Sequence, residues 1–298
     1  MPDKNSITVG VTGASGYLGG SLSTMLRTAG ANVIEYRRGS TSSTNSSDVR
    51  AFEIGGPYRA GTFDGVDCVV HAAWDLKETN ARRNWEINVE GSKRLVAAAL
   101  EAGVDRVVFV SSMSAYFGTK QEYGLAKLAV ERTFLEVNQV VVRPGLVYGG
   151  VAGGMSLTLS RLARLPVIPV FRDAKLFTAH VDDVVAALHT MAVARFVPST
   201  VIGLAQPTST PFTDVMKAIC DEVGSTSRMV PIPWHPLLIS LRVAEKCGVK
   251  LPVRSDSLLG LVRSAPSVPG IEEARGLGLT FRPFPEGLER SFDTEQRS

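Results

Sequence analysis

The stretch VSSMSAYFGTKQEYGLAK, residues 110–127, carries three serines, two tyrosines and two lysines in eighteen positions. Tyr123 and Lys127 stand four residues apart, so on a helix they share a face. A tyrosine unaided titrates near ~10. A cation one helical turn away stabilises its phenolate, and acid–base work improves as the pKa approaches the operating pH. The pair therefore has the chemistry of a proton donor and acceptor. Three serines precede it, Ser111, Ser112 and Ser114, and which of them works with the pair is the question the rest of the chain must answer.

Such a pair needs a scaffold. Short apolar runs, SITVGVTG, NVIEYRR, VDCVVHAA, RVVFVSS and QVVVRPGLVYG, alternate with segments of helical periodicity, LGGSLSTMLRTAG, NWEINVEGSKRLVAAALEAG and EYGLAKLAVERTFLEV. Near-continuous Val-rich strands are those covered by helices on both faces. Strand–helix alternation on this scale predicts an α/β fold, a Rossmann-type doubly wound parallel sheet. Beyond residue 150 prolines punctuate shorter elements, which predicts a smaller substrate lobe over 151–298, with some segments returning to the core, after a nucleotide-binding domain over 1–150. The Ser/Thr-rich run 40–50 reads as a surface loop.

The first strand runs into TGASGYLG, Thr12 to Gly19, and a helix follows at once. Gly13, Gly16 and Gly19 there allow a tight turn, close approach of a pyrophosphate and close helix–strand packing. The helix N-terminus offers unpaired N–H groups to the phosphates. The position of the triplet between strand and helix carries the assignment; a lone glycine triplet would be weak. The tip of the second strand discriminates between cofactors. An acid there suits the ribose 2′-OH of NAD and an arginine the 2′-phosphate of NADP. Arg37 falls at that place, with Arg38 beside it and Ser40 just beyond, while the competing Glu35 lies inside the strand. The reading favours NADP over NAD.

Composition limits the partners. The chain has 298 residues, 44% of them hydrophobic, with 32 Lys and Arg against 29 Asp and Glu. A net charge of +3 is too balanced to argue for nucleic acid or an anionic membrane surface, so a small-molecule substrate is expected. Cys68, Cys220 and Cys247 are widely spaced, which predicts reduced thiols and neither a disulfide framework nor a metal site. No secretory leader and no bilayer-spanning run is evident, so the expectation is a cytoplasmic protein. A homodimer is left open.

With the glycine loop and the Tyr123-x-x-x-Lys127 pair both in place, the chain resembles the extended short-chain dehydrogenase/reductases, the NAD-dependent epimerase/dehydratase group, over residues 6–220. The match extends to His71-Ala72-Ala73, to Asn88, to RPGLVYG from Arg143 to Gly149, and to HVDD from His180 to Asp183. The resemblance implies that Tyr123 is the acid/base at a carbonyl or alcohol and that Lys127 lowers its pKa and holds the nicotinamide ribose. It further implies cofactor contacts from Gly13, Ser15, Gly16, Tyr17, Leu18, Gly19, Ala72, Ala73, Pro144 and Val147. The family places a Ser or Thr at the end of the fifth strand to hydrogen-bond the substrate oxygen. Anchored on the strand, that role falls on Ser112, with Ser114 in reserve; anchored on the downstream Tyr116-Phe117-Gly118, it falls on Met113, which cannot donate. Ser111 points to the opposite face if the pleat persists.

Two departures bear on the substrate. Only ten residues separate Ser112 from Tyr123, and Leu146 stands where nucleotide-sugar enzymes of the family typically carry asparagine. The later lobe offers the apolar run IPWHPLLISL, 232–241, and no evident cluster of arginines suited to a diphosphate. The expectation is an NADP-dependent oxidoreductase moving a hydride to or from a carbonyl or alcohol carbon of a small, fairly apolar substrate. A nucleotide-sugar epimerase or dehydratase is the same-fold alternative. A cofactor-binding sensor without chemistry is the alternative from another class, and the intact Tyr–Lys pair argues against it.

Overall fold

The computed structural model describes residues 6–39, 48–150, 153–249 and 253–288. The chain begins with β1 (Thr8–Thr12), α1 (Tyr17–Thr28), β2 (Asn32–Arg37), β3 (Val49–Ala51) and β4 (Cys68–His71). A helical stretch follows in which α2 (Ala81–Trp85) and α3 (Gly91–Glu101) are joined by a π-helical turn (Glu86–Glu90). Then come β5 (Arg106–Val110), α4 (Glu122–Glu136), β6 (Val140–Pro144) and β7 (Leu146–Tyr148). The later part contains α5 (Gly154–Ala163), β8 (Val167–Val170), β9 (Lys175–Leu176), β10 (Thr178–His180), α6 (Val181–Val193) and β11 (Val201–Leu204). It continues through β12 (Thr210–Pro211), α7 (Phe212–Glu222), β13 (Arg228–Pro231), α8 (Trp234–Lys246), α9 (Ser255–Val262) and α10 (Ile271–Gly276). Of the serine-rich run 40–50, residues 40–47, and with them Ser40, lie outside the described residues.

Seven strands form one parallel sheet in the order β11-β6-β5-β4-β1-β2-β3. The Val-rich runs alternate between its two faces. Val70, Val108, Val110 and Val142 meet Leu22 and Leu26 of α1 and Val184, Leu188 and Met191 of α6. Val69, Val107, Phe109 and Val141 meet Leu95 of α3 and Val130 and Phe134 of α4. Both faces are therefore buried, which is why these strands carry no polar alternation. The chain leaves β1 toward β2 and β3, then crosses back to β4 on the other side. That reversal opens a crevice at the carboxyl ends of β1 and β4, the place where open α/β sheets bind ligands.

Past residue 150 the chain is shared between two bodies. The segment from β10 through α6 to β11 returns to the parallel sheet, β11 pairing along β6. The rest packs around its own core of Leu159, Ile168, Phe171, Phe212, Met216 and Leu258. Among the described residues no helix is long and apolar enough to cross a membrane, and no group of His, Cys, Asp or Glu is arranged to hold a metal ion. Cys68 and Cys220 are buried and Cys247 is exposed, all three as free thiols. Burial pushes the Cys68 thiol up to about 12, which leaves it without nucleophilic character.

Candidate active site

The crevice at the head of β1 is shaped by close backbone approach. Gly13 takes φ +73°, and a Cβ there would lie 2.9 Å from the Ala73 nitrogen. A Cβ on Gly19 would lie 2.3 Å from the Gly13 carbonyl oxygen, so only glycine lets α1 pack this closely on the turn. A buried polar chain ties the two sides together. His71 meets the Thr12 hydroxyl at 2.7 Å through Nδ1 and Ser92 Oγ at 2.9 Å through Nε2. The Ser92 hydroxyl donates to the Asn88 carbonyl and the Ala73 N–H donates to Thr12 Oγ1, which assigns the imidazole proton to Nε2. Burial drives the His71 pKa down to about 3, so the ring is a neutral clamp holding Ala72 and Ala73 beside the glycine turn.

Gly16 caps α1 with no side-chain hydrogen bond to the first turn, and Ser15 and Gly16 are exposed. The first N–H groups, those of Tyr17 and Leu18 among them, are thus presented to an anion at the positive end of a twelve-residue helix. The Tyr17 hydroxyl donates to the Gly149 carbonyl at 2.5 Å and links this loop to the end of β7. Val147 sits in the middle of β7, paired with β10, and the Pro144 carbonyl at the end of β6 accepts the Met113 N–H at 3.0 Å. A second hollow of about 240 Å³ lies beyond the tip of β2, lined by Arg38, Glu53, Ile54, Gly55, Asp75 and Ile87. A dinucleotide fits this layout: bare N–H groups for its phosphates, and a side-chain-lined hollow at the far end for a base. Glu53, Ile54 and Ile87 escaped sequence reasoning because they lie in separate loops and helices.

The competing residues at the tip of β2 separate cleanly. Glu35 is buried and ion-paired to both Arg27, at 2.7 Å, and Arg37. It is therefore committed to the protein. Arg37 and Arg38 remain half-exposed, Arg38 lying 3.6 Å from Asp75.

The pair from the opening stretch lies on α4, below the end of β5. Lys127 is buried, its ammonium donating to the Val110 carbonyl at 2.8 Å. The indole of Trp74 covers it, Nζ standing 3.7 Å from the ring centroid, with the Phe109 ring at 4.7 Å and the Tyr123 ring at 5.7 Å. Trp74 also meets Tyr123 edge to face at 5.8 Å. Burial lowers the Lys127 pKa to about 7, opposed by the negative charge of Glu131. Burial likewise raises the Tyr123 phenol to about 12, opposed by a hydrogen bond with Ser112 and reinforced by Asp256.

The serines divide by role. Ser112 faces the phenol, and its hydroxyl accepts the Ser114 N–H at 3.1 Å. Ser111 turns the other way and donates to the carboxylate of Glu131, itself held by Arg143 through two bonds of 2.8 and 2.5 Å. Ser114 lines the same cavity as Ser112. Met113 is buried against Phe177 and Ala205.

Tyr123, Ser112 and Ser114 open onto a cavity of about 730 Å³, walled by Trp74, Trp85, Leu125, Leu146, Met155 and Phe177. The run 232–241 forms most of α8 and buries Leu238 and Leu241 in the small-lobe core, outside the cavity lining. One sequence expectation is corrected here. The small lobe contributes α9 and its flanks, and these bring Arg254 and Arg263 into the wall, so basic groups are present where none was expected. They escaped notice because neither belongs to a cluster in sequence; they stand at the two ends of α9, and the fold turns that helix toward the cavity. Trp74 and Asp75 were missed as well. They directly follow His71-Ala72-Ala73, and buried Asn88 fixes their loop by accepting the Asp75 N–H at 2.7 Å and donating to its carbonyl at 2.9 Å.

Comparison with known proteins agrees with this layout. The profile of the NAD dependent epimerase/dehydratase family matches residues 9–202. An uncharacterized protein of Mycobacterium tuberculosis is 29% identical over 214 residues, 71% of this chain and 23% of that protein. The chain thus spans about a quarter of the length of the first curated relatives it matches. A dTDP-4-dehydrorhamnose reductase of Streptomyces griseus is 30% identical over 211 residues, 63% of this chain and 67% of that one. Among solved structures, MoeE5 in complex with UDP-glucuronic acid and NAD superposes with a TM-score of 0.75 at 23% identity, covering 97% of this chain and 99% of its own.

Proposed function

The chain belongs to the NAD dependent epimerase/dehydratase family, and from that premise we propose that it is an NADP-dependent oxidoreductase acting on a carbonyl or alcohol carbon. The observation that carries this reading is the meeting of Ser112 and Tyr123 at one cavity, the phenol facing Ser112, with the buried Lys127 ammonium 5.7 Å from the Tyr123 ring centroid. A sensor would have no use for that constellation.

The chain's own groups supply binding, orientation and a proton. The glycine turn and the first N–H groups of α1 receive the pyrophosphate. Bound NADP supplies or accepts the hydride. The Ser112 hydroxyl orients the substrate oxygen, and Tyr123 gives that oxygen its proton or removes it. Lys127, in its charged form, would favour the phenolate from 5.7 Å away from the Tyr123 ring centroid. Reduction needs the phenol and oxidation the phenolate, so the reverse reaction should favour higher pH. Trp74 and the aliphatic walls exclude water and give an apolar substrate its contact surface.

A preference for NADP is supported by Glu35 being held by two arginines while Arg37 and Arg38 stay half-exposed. Charge-assisted hydrogen bonds are worth about 1.5–3 kcal/mol each. NADP should therefore bind at least about ten-fold more tightly than NAD. The double change Arg37→Ala with Arg38→Ala should remove most of that difference, with Glu35 still paired to Arg27. Equal affinities of the unaltered protein for the two cofactors in titration calorimetry would refute the preference.

A second reading rests on Arg254 and Arg263. Two guanidinium groups in the wall are donors of the kind a diphosphate needs once it is stripped of water. They favour a nucleotide-sugar substrate, as does the resemblance to the dTDP-4-dehydrorhamnose reductase. Leu146 and the short segment between Ser112 and Tyr123 favour the apolar substrate. A turnover screen with NADPH against aldehydes, ketones and nucleotide sugars separates the two. Under the apolar reading, dTDP- and UDP-sugars should show no micromolar binding. Under the second, they should bind, and Arg254→Ala with Arg263→Ala should weaken them ten-fold or more.

A further inference from the structure

Helix α4 starts without a cap of its own. Its boundary residue, Gln121, makes no side-chain hydrogen bond to the first turn. The missing acceptor comes from the small lobe. Asp256, in the first turn of α9, accepts the Glu122 N–H on Oδ1 at 2.7 Å and the Tyr123 N–H on Oδ2 at 3.3 Å. Gln121 answers by donating its Nε2 to the Asp256 carbonyl at 3.1 Å. The two helices can meet this closely because Gly260 faces Gln121, where a Cβ would fall 2.7 Å from Nε2. Helix α9 is anchored in turn by Glu245 of α8, whose carboxylate accepts the Ser255 N–H at 2.7 Å and its hydroxyl at 2.6 Å. Two carboxylates thus join α8 to α9 and α9 to the helix bearing Tyr123 and Lys127.

We propose that Asp256 is a positioning residue, a cap supplied across the lobe boundary that fixes the first turn of α4 and sets the electrostatic environment of Tyr123. This rests on the reading of Tyr123 as the proton-transferring group. A cap on N–H groups of the first turn orders that turn, and Tyr123 lies within it, so movement of α9 is transmitted to the phenol. The walls of the cavity that α9 and its flanks supply, Arg254 and Arg263 among them, move with the same cap.

The charges around Tyr123 give the cap its second effect. Lys127 approaches from its own helix, Asp256 from α9, and Arg254 and Arg263 from the small-lobe wall, while Asp75, Glu78 and Glu122 also line the cavity. Asp256 is the negative charge that holds the Tyr123 proton more tightly. Its own pKa is raised above the usual carboxylate range by burial, with the two N–H donors and Arg254 opposing. Removing the charge must lower the phenol pKa; removing a cap of purely structural value would not.

The test is a titration of the NADP-saturated protein labelled at the tyrosine ζ carbon, with the Tyr123 resonance identified by its loss in Tyr123→Phe. In Asp256→Asn, which keeps an acceptor but no charge, the Tyr123 midpoint should fall by about half a pH unit or more, the effect of one unit charge within ~10 Å at an effective permittivity of ~20–40. Asp256→Ser, a smaller neutral cap, should do the same. Identical Tyr123 titration in all three proteins up to the alkaline unfolding limit overturns the proposal. So does failure of both variants to fold and bind NADP, because a positioning role leaves the scaffold standing. A shifted resonance beside full turnover in Tyr123→Phe would uphold the electrostatic link and refute the catalytic reading instead.

Discussion

Replacing Tyr123 by Phe should leave a folded protein that still binds NADP and whose turnover falls by about 10²–10⁴, the range lost with a general acid–base group. Phenylalanine keeps the ring and its edge contact with Trp74 at 5.8 Å, so packing over Lys127 survives. What disappears is the hydroxyl, the group beside Ser112 that carries the transferred proton. The serines should then rank. Ser112→Ala removes the hydroxyl facing the phenol and should lower turnover with little change in cofactor affinity, whereas Ser114→Ala should do much less. NADPH consumption, followed by absorbance on the substrate found by the screen, measures all three. Full activity in Tyr123→Phe would end the catalytic assignment, and a reversed order of the two serines would move the substrate contact to Ser114.

The fold was legible because its strands are unusual. A sheet buried on both faces demands runs such as CVVH and RVVFV, and those runs alternate with helices long enough to read by period. The glycine loop was legible for a related reason, since close approach of Gly19 to the Gly13 carbonyl leaves no alternative residue. The serine question was answerable only in three dimensions. Met113 and Ser112 are neighbours in sequence, but the strand sends Met113 into a buried cluster and Ser112 to the phenol.

The wall of the cavity was not legible, and the cause is distance along the chain. Asp256 lies 133 residues from Tyr123, and no local pattern reports that its carboxylate reaches the backbone of α4. Arg254 and Arg263 look like solvated charges flanking a short helix until α9 is seen against the catalytic helix. The apolar run 232–241 is ambiguous in sequence for another reason: apolar residues on a helix read equally well as a pocket wall or as a lobe core, and here they serve the lobe core.

The largest effect on stability is expected one turn beyond Lys127. Glu131 is almost wholly buried, accepts two bonds from Arg143 and one from Ser111, and faces a lysine whose charge burial disfavours. Glu131→Gln leaves the largely enclosed Arg143 charge, its side chain 14% exposed, without its partner, a change that costs about 3–5 kcal/mol where the pair is fully buried. Thermal unfolding should move down by roughly 6 °C or more. A second consequence follows from the sign of the charge. Glu131 raises the Lys127 pKa toward the about 7 at which it stands, so its loss lowers that value further. Lys127 is charged only below its pKa, and activity that depends on the ammonium is lost as pH rises through it. The alkaline fall of turnover should therefore shift to lower pH in Glu131→Gln, and the variant should be weakest, relative to the unaltered enzyme, near neutrality. Glu131→Asp, which restores the charge on a shorter side chain, should recover the pH profile more fully than the melting temperature. A destabilised Glu131→Gln enzyme with an unmoved pH profile would show that the ion pair serves the fold alone and that Lys127 keeps its charge by other means, the Val110 carbonyl and the face of Trp74 being the groups in contact with it.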